Sequence, residues 1–193
     1  MTEFQKFSDW LKDVPFMSEE DGLFFEPFLK KKIIKEKEII LSEGNICKEV
    51  GFVNYGGFRI YYLSEGKEIN TKFIFENQFI TDYNSFLQEK PSKYFIEALE
   101  KSEIVTFNLS VLQNAYNHSH NWERFGRLMA EQLYKMITQR AESFLFLDGE
   151  QRYLQILENE PHLLNRVPLY HIASYIGLEK ESLSRLRKKI AQK

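Results

Sequence analysis

With 193 residues, 43% of them hydrophobic and 17 of them phenylalanine, the chain is long enough for one or two domains with a real core. A formal net charge of −2 excludes an overall basic surface, so any nucleic-acid contact has to be local. The single cysteine, Cys47, excludes an internal disulfide and cannot alone hold a metal or an iron–sulfur cluster.

The amino terminus lacks a basic start followed by an apolar stretch, so no signal peptide is read there. No run of about 18 apolar residues is present to span a membrane, and a soluble cytoplasmic protein is expected. The first 30 residues read as helix. Phe4, Phe7, Trp10 and Leu11 recur at spacings of three and four, and "SEEDGLFFEPFLKK" opens on Ser18 and acids suited to a helix start.

From about Lys32 the texture changes to short Ile, Val, Tyr and Phe runs, or two-residue alternation, punctuated by Gly, Asn and Ser-Glu-Gly. Gly56-Gly57 and Glu65-Gly66 read as hairpin turns, because glycine tolerates the positive φ such turns need. Several short strands with frequent turns predict a β-sandwich, roll or barrel.

Helix resumes near Ser110. From Asn121 to Leu147 the chain carries no proline and one glycine, with Phe125, Met129, Leu133, Met136, Ile137, Phe144 and Leu147 along one stripe. A stripe this long exceeds what a small β domain needs. It either packs on its own chain or pairs with a twin helix, and the pairing is expected. "QRYLQILENEP" then reads as a shorter helix stopped by Pro161.

Residues 166–189, "RVPLYHIASYIGLEKESLSRLRKK", fill every slot of a helix-turn-helix. Two short helices that cross closely need a small residue at the contact, a glycine at the turn and apolar residues facing inward. Ala173 and Gly177 supply the first two, and Ile172, Ile176, Leu178, Leu183 and Leu186 the third, with Leu169 a further candidate. The second helix presents Lys180, Glu181, Ser184 and Arg185 near its start, residue types that read base edges, as when arginine forks onto guanine. Arg187, Lys188, Lys189 and Lys193 follow as phosphate anchors. Residues 179–193 hold six basic and two acidic side chains, a local surplus of positive charge in an acidic chain.

A β-rich first half, a long helix, a short helix and a helix-turn-helix resemble the Crp/Fnr family of bacterial transcription regulators over nearly the whole chain. "FLDGEQRYLQIL" (146–157) is similar to the family's junction between dimer helix and DNA-binding domain, "HIASYIGLEKESLSRL" (171–186) to its helix-turn-helix, and "ILSEGN" (40–45) to a hairpin of its cyclic-nucleotide-binding roll. The fold implied is α+β: an N-terminal double-stranded β-helix or jelly-roll over residues 1–120, a dimerisation helix over 121–147 and a helix-turn-helix over 148–193 that lacks the usual wing. The resemblance implies double-stranded DNA, a second copy of the chain, RNA polymerase and an unidentified small-molecule effector as partners. It places Lys180, Glu181 and Arg185 on base-touching positions.

The effector pocket departs from the family pattern. Thr81 and Asp82 fall where the phosphate-binding cassette carries Gly and Glu, and Ser92 falls where its arginine stands, with Lys93 beside it. Thr138 falls where a family hydroxyl reaches the purine. Without a guanidinium to grip the phosphate, cyclic AMP is not the expected effector. The alternative is a ligandless roll filled by Phe73, Phe75, Phe79 and Phe86, or a sensor that has lost sequence-specific DNA binding. His118 and His120 lack the spacing of four used by helical metal sites, and His162 and His171 lack companion ligands, so no metal and no cofactor are expected. No nucleophile elbow or phosphate-binding glycine loop is found, so enzymatic activity is not expected either.

Overall fold

The computed structural model describes residues 4–192. Helix α1 (Gln5–Lys12) turns Phe7 and Leu11, one helical turn apart, into the core. Helix α2 (Glu19–Phe25) begins at a capping box. The Asp21 amide donates to Ser18 Oγ at 3.1 Å, and the Asp21 carboxylate accepts from the Ser18 amide at 2.8 Å. Both bonds satisfy amides that a helix start leaves without partners. The start expected at Ser18 is therefore where it forms.

Eight strands follow among the described residues: β1 (Lys30–Ile34), β2 (Ile39–Leu41), β3 (Glu49–Tyr55), β4 (Phe58–Ser64), β5 (Lys67–Ile74), β6 (Phe79–Ile80), β7 (Phe95–Ala98) and β8 (Ser102–Asn108). A short helix, α3 (Tyr83–Gln88), interrupts them between β6 and β7. They form two four-stranded sheets in the orders β1-β8-β3-β6 and β2-β7-β4-β5, the roll expected from the turn-rich pattern. β8 pairs antiparallel with both β1 and β3, with Lys32 opposite Ile104 and Phe52 opposite Val105. At Gly56 (φ +93°) any Cβ would lie 2.1 Å from Ser102 Oγ, so the β3–β4 turn can close only on glycine. Glu65 and Gly66 both have positive φ, as a two-residue type I′ hairpin turn requires.

The chain divides into two compact units: residues up to Ile60 with Phe73–Ala130, and Tyr61–Lys72 with the residues from Glu131 on. This division differs from the sequence boundaries at 120 and 147. The tip of the β4–β5 hairpin counts with the C-terminal helices because its hydrogen bonds go to them, and the long helix is shared.

In the first unit, helix α4 (Leu109–His118) is capped by Asn108, and the first turns of α5 (His120–Phe146) bring Trp122 and Phe125 onto an aromatic core. Phe25 stacks on Trp122 at 4.3 Å between ring centroids, and Phe52 lies 5.2 Å from Phe7 and 5.0 Å from Trp10. The Trp122 indole N–H donates to the Asp21 carbonyl at 3.3 Å, so the largest ring in the core leaves no donor unpaired. Asp21 is itself buried. Burial pushes its pKa up, but hydrogen bonds from Ser119, Asn121 and Ser18 outweigh that and hold it down at about 2.

The second unit contains α6 (Gly149–Asn159), α7 (Leu163–Arg166), α8 (Leu169–Tyr175) and α9 (Lys180–Ala191). A second capping box starts α6, where Asp148 and Gln151 exchange side-chain and backbone bonds at 2.8 and 2.9 Å. Its sealed residues are mostly aliphatic: Ile156, Leu163, Val167, Ile172, Ala173, Ile176 and Leu183, with Tyr61 and Tyr153.

Candidate functional site

α8 and α9 meet through a turn made by Ile176, Gly177, Leu178 and Glu179. Gly177 has φ +71°, and the Leu178 amide returns to the Ala173 carbonyl at 2.9 Å. That left-handed residue closes α8 and frees the chain to start α9 at an angle. Ile172, Ala173, Ile176 and Leu183 are each at most 2% exposed, while Leu169, Leu178 and Leu186 are half-buried. The apolar frame read from the sequence is the one that packs.

The opposite side of α9 is cationic. Lys180, Glu181, Arg185, Arg187, Lys188 and Lys189 are exposed and Ser184 is half-buried. Glu181, Arg185 and Lys188 recur at intervals of four and three and therefore share a face, with Lys180, Ser184 and Arg187 alongside. Not all are equally available. Lys189 Nζ pairs with Glu150 at 2.9 Å, and an Arg185 guanidinium nitrogen donates to Ser182 Oγ at 3.3 Å. Lys193 lies outside the described residues.

Two arginines fix the base of this helix pair. Arg152 donates to the Ile176 carbonyl at 2.8 Å and to the Leu147 carbonyl, tying the α5–α6 corner to the turn. Arg140 donates to the carbonyls of Asn70 and Tyr175, both at 3.1 Å, and lies over the Tyr175 ring at 4.3 Å. Burial lowers the Arg140 pKa and raises that of the Tyr175 phenol. The sequence reading named neither arginine as a site residue, since a guanidinium bonded to backbone carbonyls leaves no partner motif to find.

Along α5 the expected interface stripe splits. Phe125 is 6% exposed and belongs to its own chain's core, 6.0 Å from Trp10 and from Phe79, so it is not available to a partner. Met129 and Ile137 are exposed at 38% and 61%, with Leu133 and Met136 half-buried between them. Phe144 is exposed but flanked by the guanidinium groups of Arg140 and Arg152 at 4.9 and 4.6 Å. Leu145 and Phe146, not singled out from the sequence, are the most exposed apolar side chains of the helix.

The roll carries a solvent-open pocket of about 910 Å³ lined by Lys32, Cys47, Glu49, Thr81 and a set of isoleucines. Lys32 pairs with Glu49, and Thr81 Oγ1 donates to the Glu49 carbonyl at 3.3 Å. Phe73, Phe75 and Phe86 are buried and Phe79 half-buried, and none of the four lines that pocket.

Of the cassette residues only Thr81 lines that space. Asp82 caps α3, accepting from the Ser85 amide at 3.2 Å, and accepts a second bond from Ser92 Oγ at 2.7 Å. Ser92 Oγ in turn accepts from the Tyr94 amide at 2.9 Å. The positions expected to face an effector thus satisfy each other. Lys93 is exposed and does not line that space, and Thr138 belongs to the other compact unit. His118, on the surface, stacks on Phe24 at 3.7 Å, and His120, also exposed, pairs with Glu123.

Comparison with known proteins agrees with this architecture. Residues 31–119 match the family described as "Cyclic nucleotide-binding domain". FixK2 from Bradyrhizobium japonicum is similar over 85% of each chain, with a TM-score of 0.74 at 17% identity. A CooA mutant from Carboxydothermus hydrogenoformans covers 94% of this chain with 84% of its own, at a TM-score of 0.72 and 17% identity. A putative transcriptional regulator of the Crp/Fnr family from Eubacterium rectale covers 95% with 88% of its own, at 0.73 and 15%. At these identities the likeness is one of fold, and it is the fold of the Crp/Fnr regulators. A curated relative, small ribosomal subunit protein uS4c of Stigeoclonium helveticum, is 33% identical over 91 residues, which are 46% of this chain and 3% of that protein. So small a share of the ribosomal protein carries no argument about role.

Proposed function

We propose that this chain is a DNA-binding transcription regulator of the Crp/Fnr type that works as a homodimer in the cytoplasm and does not respond to cyclic AMP. The observation that carries the reading is α9 itself. It is seated on α8 by the Ala173–Gly177 frame and carries Lys180, Arg185, Arg187 and Lys188 exposed along its length. A helix held this way can lay its first turns on base edges while later cations meet phosphates. Two copies joined along the Met129–Ile137 stripe would present two such helices about 34 Å apart, one turn of the duplex. RNA polymerase is then the further partner such a regulator would meet on DNA.

The effector half of the reading rests on Ser92. A buried phosphate needs fixed charged donors, and replacing a guanidinium by one hydroxyl should cost about 1.5–3 kcal/mol of binding. Here that hydroxyl is already given to Asp82. The cavity beside Lys32 and Thr81 leaves room for a different small molecule. A second reading, a sensor without sequence-specific DNA binding, is favoured by the pairs Lys189–Glu150 and Lys67–Glu179, which engage charges of and next to α9. Selection of bound sequences from random duplexes at moderate salt separates the two. Enrichment of a palindrome with half-sites one helical turn apart is expected, and its absence would leave the sensor reading.

A further inference from the structure

We propose that the tip of the β4–β5 hairpin is a latch that holds α8 and α9 in a form DNA cannot engage; this rests on the regulator reading above. β5 is the outer strand of its sheet, so one edge of its backbone is open to pairing. α8 occupies that edge with a single side chain. Ser174 Oγ donates to the Glu68 carbonyl at 2.7 Å and accepts from the Asn70 amide at 3.0 Å, bridging two groups on the same edge of the strand.

Around this bridge the hairpin is gripped three more times. Asn70 Nδ2 lies 3.2 Å from His171 Nδ1, one turn before Ser174 on α8. Arg140 donates to both the Asn70 carbonyl and the Tyr175 carbonyl, joining the strand to the last residue of α8. At the tip, Lys67 Nζ is 2.6 Å from the carboxylate of Glu179, the residue that precedes α9. The Glu179 hydrogen bond raises the Lys67 pKa and so favours the charged partner.

The place of this last contact decides the consequence. Glu179 is next to Lys180 and Glu181, at the end of α9 that would enter a major groove. A hairpin tip held there, carrying Glu65 and Glu68, occupies the approach and opposes phosphate with carboxylate.

The latch is built to release. Asn70 is fully buried, and its Oδ1 has no hydrogen-bond partner among the described residues. A buried acceptor left unpaired favours opening, which returns it to water. The Lys67–Glu179 pair is more than two-thirds exposed on both sides and contributes little. A state held by a few polar bonds can be shifted by a modest signal.

The test uses the full chain and the palindromic duplex recovered by selection. Ser174→Ala removes both backbone bonds without adding bulk. It should raise DNA affinity about tenfold, the equivalent of one to two net hydrogen bonds, and accelerate amide exchange in residues 67–72. Lys67→Glu, at an exposed site, should raise affinity about twofold to threefold while leaving the fold intact. Faster exchange with unchanged or weaker DNA binding would show that the hairpin does not obstruct DNA. Unchanged exchange and unchanged binding would show that it is not latched. Failure of every form to bind any duplex would remove the regulator reading itself, and the latch with it.

Discussion

In the unit built on the roll, Phe25, Phe52, Phe58, Val105 and Trp122 are sealed from solvent, and Phe25 meets Trp122 and Phe52 meets Phe7 ring against ring. In the unit built on α6 to α9, the sealed residues are chiefly aliphatic, and arginine, serine and asparagine bonds to backbone carbonyls do much of the tying. The first arrangement draws on buried apolar area, which is non-directional and lost only by large exposure. The second draws on bonds whose net worth is about 1 kcal/mol each because water competes for them. A region held by few apolar contacts and many exchangeable bonds opens at lower free energy. The stiff unit is suited to present a cavity, the softer one to change state.

Truncating each core should show that difference, with the largest effect in the roll. Trp122→Ala removes a buried ring and its bond to Asp21, and should cost about 3–5 kcal/mol, with loss of protection across the strands. Leu183→Ala should cost about 2–4 kcal/mol and release only α8, α9 and the hairpin tip. Thermal unfolding combined with amide exchange reads both. Equal loss of roll protection in the two variants would merge the units into one cooperative block.

A smaller effect separates them by pH. The Asp21 carboxyl is held near 2, below its ordinary value of 3.8, so it stabilises the native state fully above about pH 4. That contribution, about 2 kcal/mol, is lost as pH falls from about 4 towards 2. Asp21→Asn should be less stable than the parent at pH 7 and should lose less on acidification. Trp122 fluorescence follows the transition, because its indole donates to the same residue. Parallel acid profiles for parent and variant would mean that Asp21 does not report on this unit.

Much of this was legible from local pattern. The capping box at Ser18, the Glu65-Gly66 turn and the Ala173–Gly177 frame depend on residues within a few positions of one another, and all three form as the sequence indicates. Phe125 was misplaced because one helical stripe runs continuously from 125 to 144, and periodicity cannot say which turns meet the chain's own core and which face outward. β3 shows no strict alternation of buried and exposed residues for a related reason: Val50, Phe52 and Val53 are all buried. Helix α7 lies between Pro161 and Pro168, in a stretch too short for any period to register.

The candidate site was legible where it is helical and hidden where it is assembled. Ser174 meets Asn70 across 104 positions, and Asp82 meets Ser92 across ten, so neither pair leaves a motif. Sequence could say that Ser92 is not the expected arginine. Only the fold places its hydroxyl on Asp82 rather than in the cavity.

The central claim, that α9 reads DNA with its first turns and anchors on phosphate with its later ones, is tested most directly by the salt dependence of binding to selected and random duplexes. Arg185→Ala should weaken binding to the selected duplex by about 1–3 kcal/mol and relax base preference. Lys188→Ala should weaken all duplexes alike and flatten the slope of log affinity against log salt by about one. Identical behaviour of the two variants on both kinds of duplex would contradict the account, because it would mean that α9 does not face DNA as described.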